Sequence, residues 1–139
     1  MSHNTDVGVA VYTKVAGDAQ LKTLLPDGVY WDVSASGKTR VVILKLMNHE
    51  ATDMFGHCAF EQPIYLVKAV EFSTSKLNVL NAAKRIDALL NNQPLTITGY
   101  TLMTTQLMEC VEYNEPDTAN PDGRWQHCGA MYRVTVSPN

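Results

Sequence analysis

Two adjacent pairs, His57-Cys58 and His127-Cys128, are where chemistry would first be sought in this sequence. A thiol beside an imidazole suggests a thiolate nucleophile with its base, or half of a zinc site. The spacing supports neither. Zinc ligands arrive in pairs two to four residues apart, whereas neighbours on an extended strand point to opposite faces, so each pair would need a partner from elsewhere in the chain. Cys58, Cys110 and Cys128 are odd in number and widely spaced, which reads as reduced thiols rather than a disulfide framework. His49 and His57 fall in a stretch expected to be loop and read as surface residues. The carboxylate pairs Glu109 with Glu112 and Asp117 with Asp122 read as a solvated strand edge and a solvated loop, because no histidine or nucleophile is tied to them by spacing. The SGKT of Ser36 to Thr39 has the last letters of a phosphate-binding loop but lacks its first glycine and leads into a strand. These residues specify no catalytic group, no metal ligand and no cofactor.

What remains is the scaffold. A chain of 139 residues, 45% of them hydrophobic, suits one domain spanning 1–139 that folds without disulfide or metal staples. Eleven Lys and Arg against fourteen Asp and Glu give a net charge of −3. No basic run concentrates positive charge, and phosphate backbones demand such concentration, so a direct grip on nucleic acid is disfavoured. The first residues have no basic region followed by an apolar core and a cleavage site, and nowhere do roughly 18 apolar residues run together. The expectation is a cytoplasmic protein without a membrane partner.

Helical spacing of Val9, Val11, Tyr12 and Val15 predicts a first helix capped by Asn4 or Thr5. A second, Asp18 to Leu25, takes Asp18 as its N-cap and turns Leu21, Leu24 and Leu25 to one side before Pro26 stops it. Pro26-Asp27-Gly28 then turns the chain into Val29, Tyr30, Trp31 and Val33. Strands are expected at Arg40 to Asn48 and Pro63 to Ser73, with His49 to Gln62 as a loop between them. Thr74 or Ser75 should cap a helix whose apolar side holds Leu77, Leu80, Ala83, Ile86, Ala88, Leu89 and Leu90, with Asn92 as a left-handed cap. LTITG alternates as a strand should, and Thr101 to Tyr113 continues it past a bulge or bend at Gly99. Asn114 to Gly123 is loop, and Arg124 to Pro138 is the last strand, with Tyr132, Val134 and Val136 on one face. This order predicts an α+β fold: a mostly antiparallel sheet of four to six strands covered on one face by helices. Both faces of the first two strands are apolar, so the second face needs another cover, and a neighbouring subunit is the economical one.

Taken in order, YTKVAGDAQLKTLLPDGVYWDV, YLVKAVEFS, AAKRIDALLNNQPLTITG, VEYNEPD and GAMYRVTV, from about Tyr12 to Val136, resemble the tail-completion proteins of long-tailed bacteriophages. These are head-tail joining, or tail terminator-like, proteins. SASGKT departs from the commonest pattern, in which a proline-rich segment enters the first strand. The resemblance implies a virion protein at the head-tail junction, assembled in the host cytoplasm. It also implies a homo-oligomeric ring, hexameric in related tail terminators, that contacts the tail tube protein and the head completion or connector protein. Genomic DNA would pass through the lumen without specific binding, and no enzymatic residue is carried over.

Exposure and loop length make Met54, Phe55 and the 114–123 loop, with Asp117, Asp122 and Arg124, the expected partner contacts. Tyr30 and Trp31 diverge on a strand, so one should be core while the other meets a neighbour. Two other classes compete. One is a small cytoplasmic binding or enzymatic domain using His127 and Cys128, recognisable by a deep pocket converging on them. The other is a phage interaction protein that never enters the virion.

Overall fold

The computed structural model describes residues 5–54 and 57–139, and of Asp53, His57 and Cys58 the backbone alone. Helices α1 (Thr5–Ala16) and α2 (Ala19–Leu24) precede strands β1 (Val29–Trp31), β2 (Arg40–Met54) and β3 (His57–Ser73). Helix α3 (Leu77–Leu90) then leads to β4 (Tyr100–Pro116) and β5 (Arg124–Pro138). The strands form one sheet in the order β1-β2-β3-β5-β4, in which β1 is parallel to β2 and every other pairing is antiparallel. The expected α+β architecture, with helices on one face, is what forms.

Alternation builds the core. Val42 and Leu44 of β2, Tyr65, Val67 and Ala69 of β3, and Cys128, Ala130, Tyr132, Val134 and Val136 of β5 face the helices. Val7, Val11 and Val15 of α1, Leu21 and Leu25 around α2, and Val79, Ala82, Ile86 and Leu90 of α3 meet them. The expected phase of α1 shifts: Val9 is 55% exposed, because at 100° per residue it lies on the far side from Val7 and Val11. The phase of α3 shifts too. Its stripe runs Val79, Ala82, Ile86, Leu90, leaving Leu77 and Leu80 in solvent. Its N-cap position is Lys76, although the Ser75 hydroxyl accepts the Leu77 N–H at 3.2 Å.

The entry turn is stitched to the sheet. The Asp18 carboxylate accepts the Leu21 N–H at 2.9 Å as the N-cap of α2, and Arg85 of α3 donates to it twice, at 2.6 and 2.8 Å. The Arg85 guanidinium holds the Asp18 carboxyl below its ordinary value of 3.8. After Pro26, the Asp27 carboxylate accepts the N–H groups of Thr39 and Arg40, both at 3.1 Å. That pins the turn to the first residues of β2, and Gly28, at φ 108°, lets the chain run alongside as β1. Asn92, at φ 57°, is the left-handed residue expected after α3.

Three expectations are corrected. The segment 49–62 is not a loop: β2 and β3 run on through it as a two-stranded ribbon, pairing Ala51 with Glu61 and Met54 with His57. Polar residues on both of its faces hide the alternation that marks a one-sided strand. His49 is therefore a strand residue, its side chain 15% exposed and its Nε2 3.2 Å from the buried Glu61 carboxylate. Leu95 to Thr98 is not a strand either. It is the return from α3, with Ile97 plugging the core before Gly99 turns into β4. Finally, β4 reaches Pro116, so the connection to β5 is shorter than Asn114 to Gly123. The expected Asn4 cap lies outside the described residues.

Candidate interaction surfaces

The helix-free face of the sheet carries a second, smaller apolar cluster. Val41, Ile43 and Val70 are buried there, with Tyr30 and Trp125 packed against them. Trp125 meets Phe72 edge to face at 5.3 Å and donates its indole N–H to Asp117 at 3.2 Å. Beside it, the His127 ring stacks on Tyr113 at 4.3 Å, and its Nε2 lies 3.2 Å from the Glu115 carboxylate. Lys68 donates to the Tyr113 hydroxyl at 2.7 Å and sits over its ring. Burial, with the Lys68 charge, pulls the His127 pKa below its ordinary value, while Glu115 opposes. The buried Nδ1 of His127 has no hydrogen-bond partner among the described residues. A shallow concavity of about 290 Å³ lies among Asp32, Val33, Lys68, Glu115 and His127.

The register splits the adjacent His127 and Cys128 as strand geometry requires. His127 faces Tyr113 on the open side, whereas Cys128 is buried in the main core opposite Glu112. Burial, followed by the Glu112 carboxylate, pushes the Cys128 thiol up, so it is no thiolate, and the pair does not converge on one pocket. Among the described residues no group of three His, Cys, Asp or Glu gathers to hold a metal. No helix is long and apolar enough to cross a membrane.

Tyr30 and Trp31 diverge as expected. Tyr30 lies on the helix-free face, its hydroxyl donating to the Asp27 carbonyl at 2.9 Å. Trp31 turns to the helix side, stacked on Tyr12 at 6.3 Å and edge-on to Tyr65 at 6.2 Å, yet remains 41% exposed. The two hairpin tips point to opposite ends of the sheet, since Ser73 pairs with Arg124 while Glu61 pairs with Val136. Met54, 60% exposed, sits at the ribbon end; Phe55 lies outside the described residues. At the other end Asp117 is engaged within the turn, accepting the Ala119 N–H at 2.9 Å as well as the Trp125 indole. Asp122 is exposed, and Arg124 donates to Asn114 at 3.1 Å.

Sequence reasoning placed a strand and a solvated edge at Thr101 to Tyr113 but missed its register shifts and exposed apolar residues. β4 is almost wholly exposed, with Met103, Leu107, Met108 and Tyr113 among its solvent-facing residues. Its register shifts between Leu102 and Thr104 and again between Leu107 and Glu109, and a third shift lies between Leu46 and Asn48 of β2. These three shifts fall on Leu-Met doublets, whereas a fourth, between Thr52 and Asp53, does not. Two consecutive apolar residues in an otherwise alternating strand were the available signal.

No protein-family model and no curated protein matches the sequence. Solved structures do. The fold is similar to that of a chain in the virion of a native gene transfer agent particle, with 16% identity, a TM-score of 0.75 and 96% of each chain covered. A second solved structure, of a protein without a functional description, matches with 17% identity and a TM-score of 0.61 over 100% of this chain and 99% of the other. At these identities the likeness is one of fold.

Proposed function

We propose that this protein is a structural component of a phage-type virion, self-associating into a ring that completes the tail and joins it to the head connector. The observation that carries the reading is a sheet finished on one side only. All the described helices lie on one face, while on the other Val41, Ile43 and Val70 form only a small buried cluster with Tyr30 and Trp125 packed against it. Full-length likeness in fold to a chain of a gene transfer agent virion supports it. So does the ordered resemblance to tail-completion proteins, which makes a hexamer the proposed stoichiometry.

In this reading the hairpin ends meet the neighbours along the particle axis. Met54 and Phe55 serve one end and Asp122 and Arg124 the other, against the tail tube protein and the head completion protein. Tyr30 and Trp31 lie at a lateral contact. Genomic DNA passes through the lumen, and a net charge of −3 without a basic patch suits a conduit that must not grip it. The ring assembles in the host cytoplasm and functions in the virion.

Mass spectrometry of purified particles and a native mass of the purified protein test the two halves of the proposal. The protein should be recovered from particles at ring-like copy number. Its absence from particles overturns the virion role. A strict monomer that also fails to bind tail tubes overturns the ring.

A further inference from the structure

The two edges of the sheet are built as complementary halves of one contact. We infer that the rim formed by α3 and β4 docks against the α1–α2–β1 edge of a second copy of this chain, head to tail. The inference builds on the ring reading and specifies its lateral contact.

Three observations converge on it. The edges stand level: Trp31 pairs with Leu44, Leu44 with Val67, Val67 with Ala130 and Ala130 with Cys110. A single row of residues thus crosses the whole sheet, from Trp31 at one rim to Cys110 at the other. The next row on the same face runs in the same way from Val29 to Glu112. Copies placed side by side with parallel strands bring these two points together.

The shapes match as well. Met108, at a bulge of β4, is 43% exposed beside Leu107, and Leu80 of α3 is exposed on the same flank. Between α1, α2 and β1 lies an apolar groove of about 300 Å³, lined by Tyr12, Val15, Leu21, Leu25 and Val29, with Lys22 at its rim. A flexible thioether suits such a groove.

Charge favours a heterologous pairing over a β4–β4 one. From Tyr100 to Arg124 the chain carries Glu109, Glu112, Glu115, Asp117 and Asp122 against Arg124, with Glu112 paired to Lys76 at 2.7 Å. The opposite edge carries Lys14, Lys22, Lys38 and Arg40 against Asp6, Asp18, Asp27 and Asp32. There the Asp18 carboxylate is engaged by Arg85 and that of Asp27 by backbone N–H groups. Two β4 edges set face to face would oppose glutamates. Strand addition at β4 is further blocked by its two bulges and by the end of α3, where Asn91 accepts the Leu107 N–H at 3.0 Å and Asn92 donates to the Thr105 carbonyl at 2.8 Å. An acidic rim meeting an edge that offers Lys14 and Lys22 makes a head-to-tail contact, which gives a ring where the rotation closes.

Cys110, exposed on β4, is a built-in probe. In a Cys58→Ser background, Val33→Cys places a second thiol at the other edge, on a residue that is 77% exposed. Treatment with a short bismaleimide should give a ladder of covalent multimers from the Val33→Cys protein and none from the parent background. Covalent dimers in the parent, joined through two Cys110 thiols, overturn the proposal in favour of an isologous contact. An oligomer by native mass with no ladder overturns it in favour of other surfaces, and a monomer overturns self-contact altogether. Independently of any cross-link, Glu109→Lys should weaken self-association about fivefold per contact, and Lys22→Glu in the same chain should restore it; no rescue counts against the charge pairing. Virion incorporation is scored separately. A protein found in particles without the ladder overturns this contact and spares the virion reading, and a ladder from a protein absent from particles does the reverse.

Discussion

At the β1 edge, three residues pair in parallel with β2, and Trp31 is clasped between Tyr12 and Tyr65 from the helix side. At the β4 edge, seventeen residues run past the sheet with hardly a side chain buried, interrupted by two methionine bulges and lined with carboxylates. Both edges solve the same hazard, an unpaired row of backbone groups that another strand could join. The first does so by being short and covered, the second by being irregular and charged. A covered edge takes its stability from the fold. An irregular, exposed edge adds little to the fold and leaves its side chains available to something else.

The largest effect should come from the seam between the two edges. A side chain at Gly129 of β5 would run into the Val67 carbonyl and the Lys68 backbone of β3. Gly129→Val should therefore cost about 3 kcal/mol or more, read as loss of soluble protein or a collapsed urea midpoint, and both edges should fail together. Trp31→Ala removes the clasp of the covered edge and should cost about 2 kcal/mol in urea unfolding. An unchanged midpoint would mean that β1 is held by its hydrogen bonds alone.

Smaller still, Asp18→Ala removes the cap of α2 beside the same edge, at a cost of about 1 kcal/mol. Its pH signature is defined. A carboxyl held below 3.8 contributes stability that is complete above that pH and drains away as pH falls through the lowered value. The gap between wild type and variant should be full at neutral pH and close in acid. A gap that persists in acid would put the effect on packing instead. At the exposed edge, Met108→Lys should shift monomer stability by no more than about 0.5 kcal/mol while reducing self-association in a native mass measurement. A large loss of stability would erase the distinction between the edges.

The architecture was legible wherever one face of an element is buried and the other is not. The stripes of β5 and the Asp18 cap announce themselves because period and capping chemistry are local. Elements that answer to something beyond their own sequence were less legible. The 49–62 ribbon carries polar residues on both faces and even its buried position, Glu61, is charged, so no apolar alternation marks it. α3 lies over β3 and β5 and leaves its β4 flank open, so Leu77 and Leu80 fall outside the core that their neighbours join. The candidate surfaces were read in part: the divergence of Tyr30 and Trp31 followed from strand geometry. The joining of Lys68, Tyr113, His127 and Glu115 required the β3–β5–β4 register, which pairs residues on either side of α3.

That register also sets the order in which the chain is expected to fold. β2 with β3, and β4 with β5, are hairpins between neighbours in sequence, whereas β3 and β5 are separated by α3 and the whole of β4. Closing a long loop before its contacts reward it is slow. The two hairpins are thus the fast units and their junction the kinetic bottleneck. Until that junction zips, β3 and β5 are both bare edges with apolar faces, and a nascent chain is most prone to pair with the wrong partner then, before its finished edges exist.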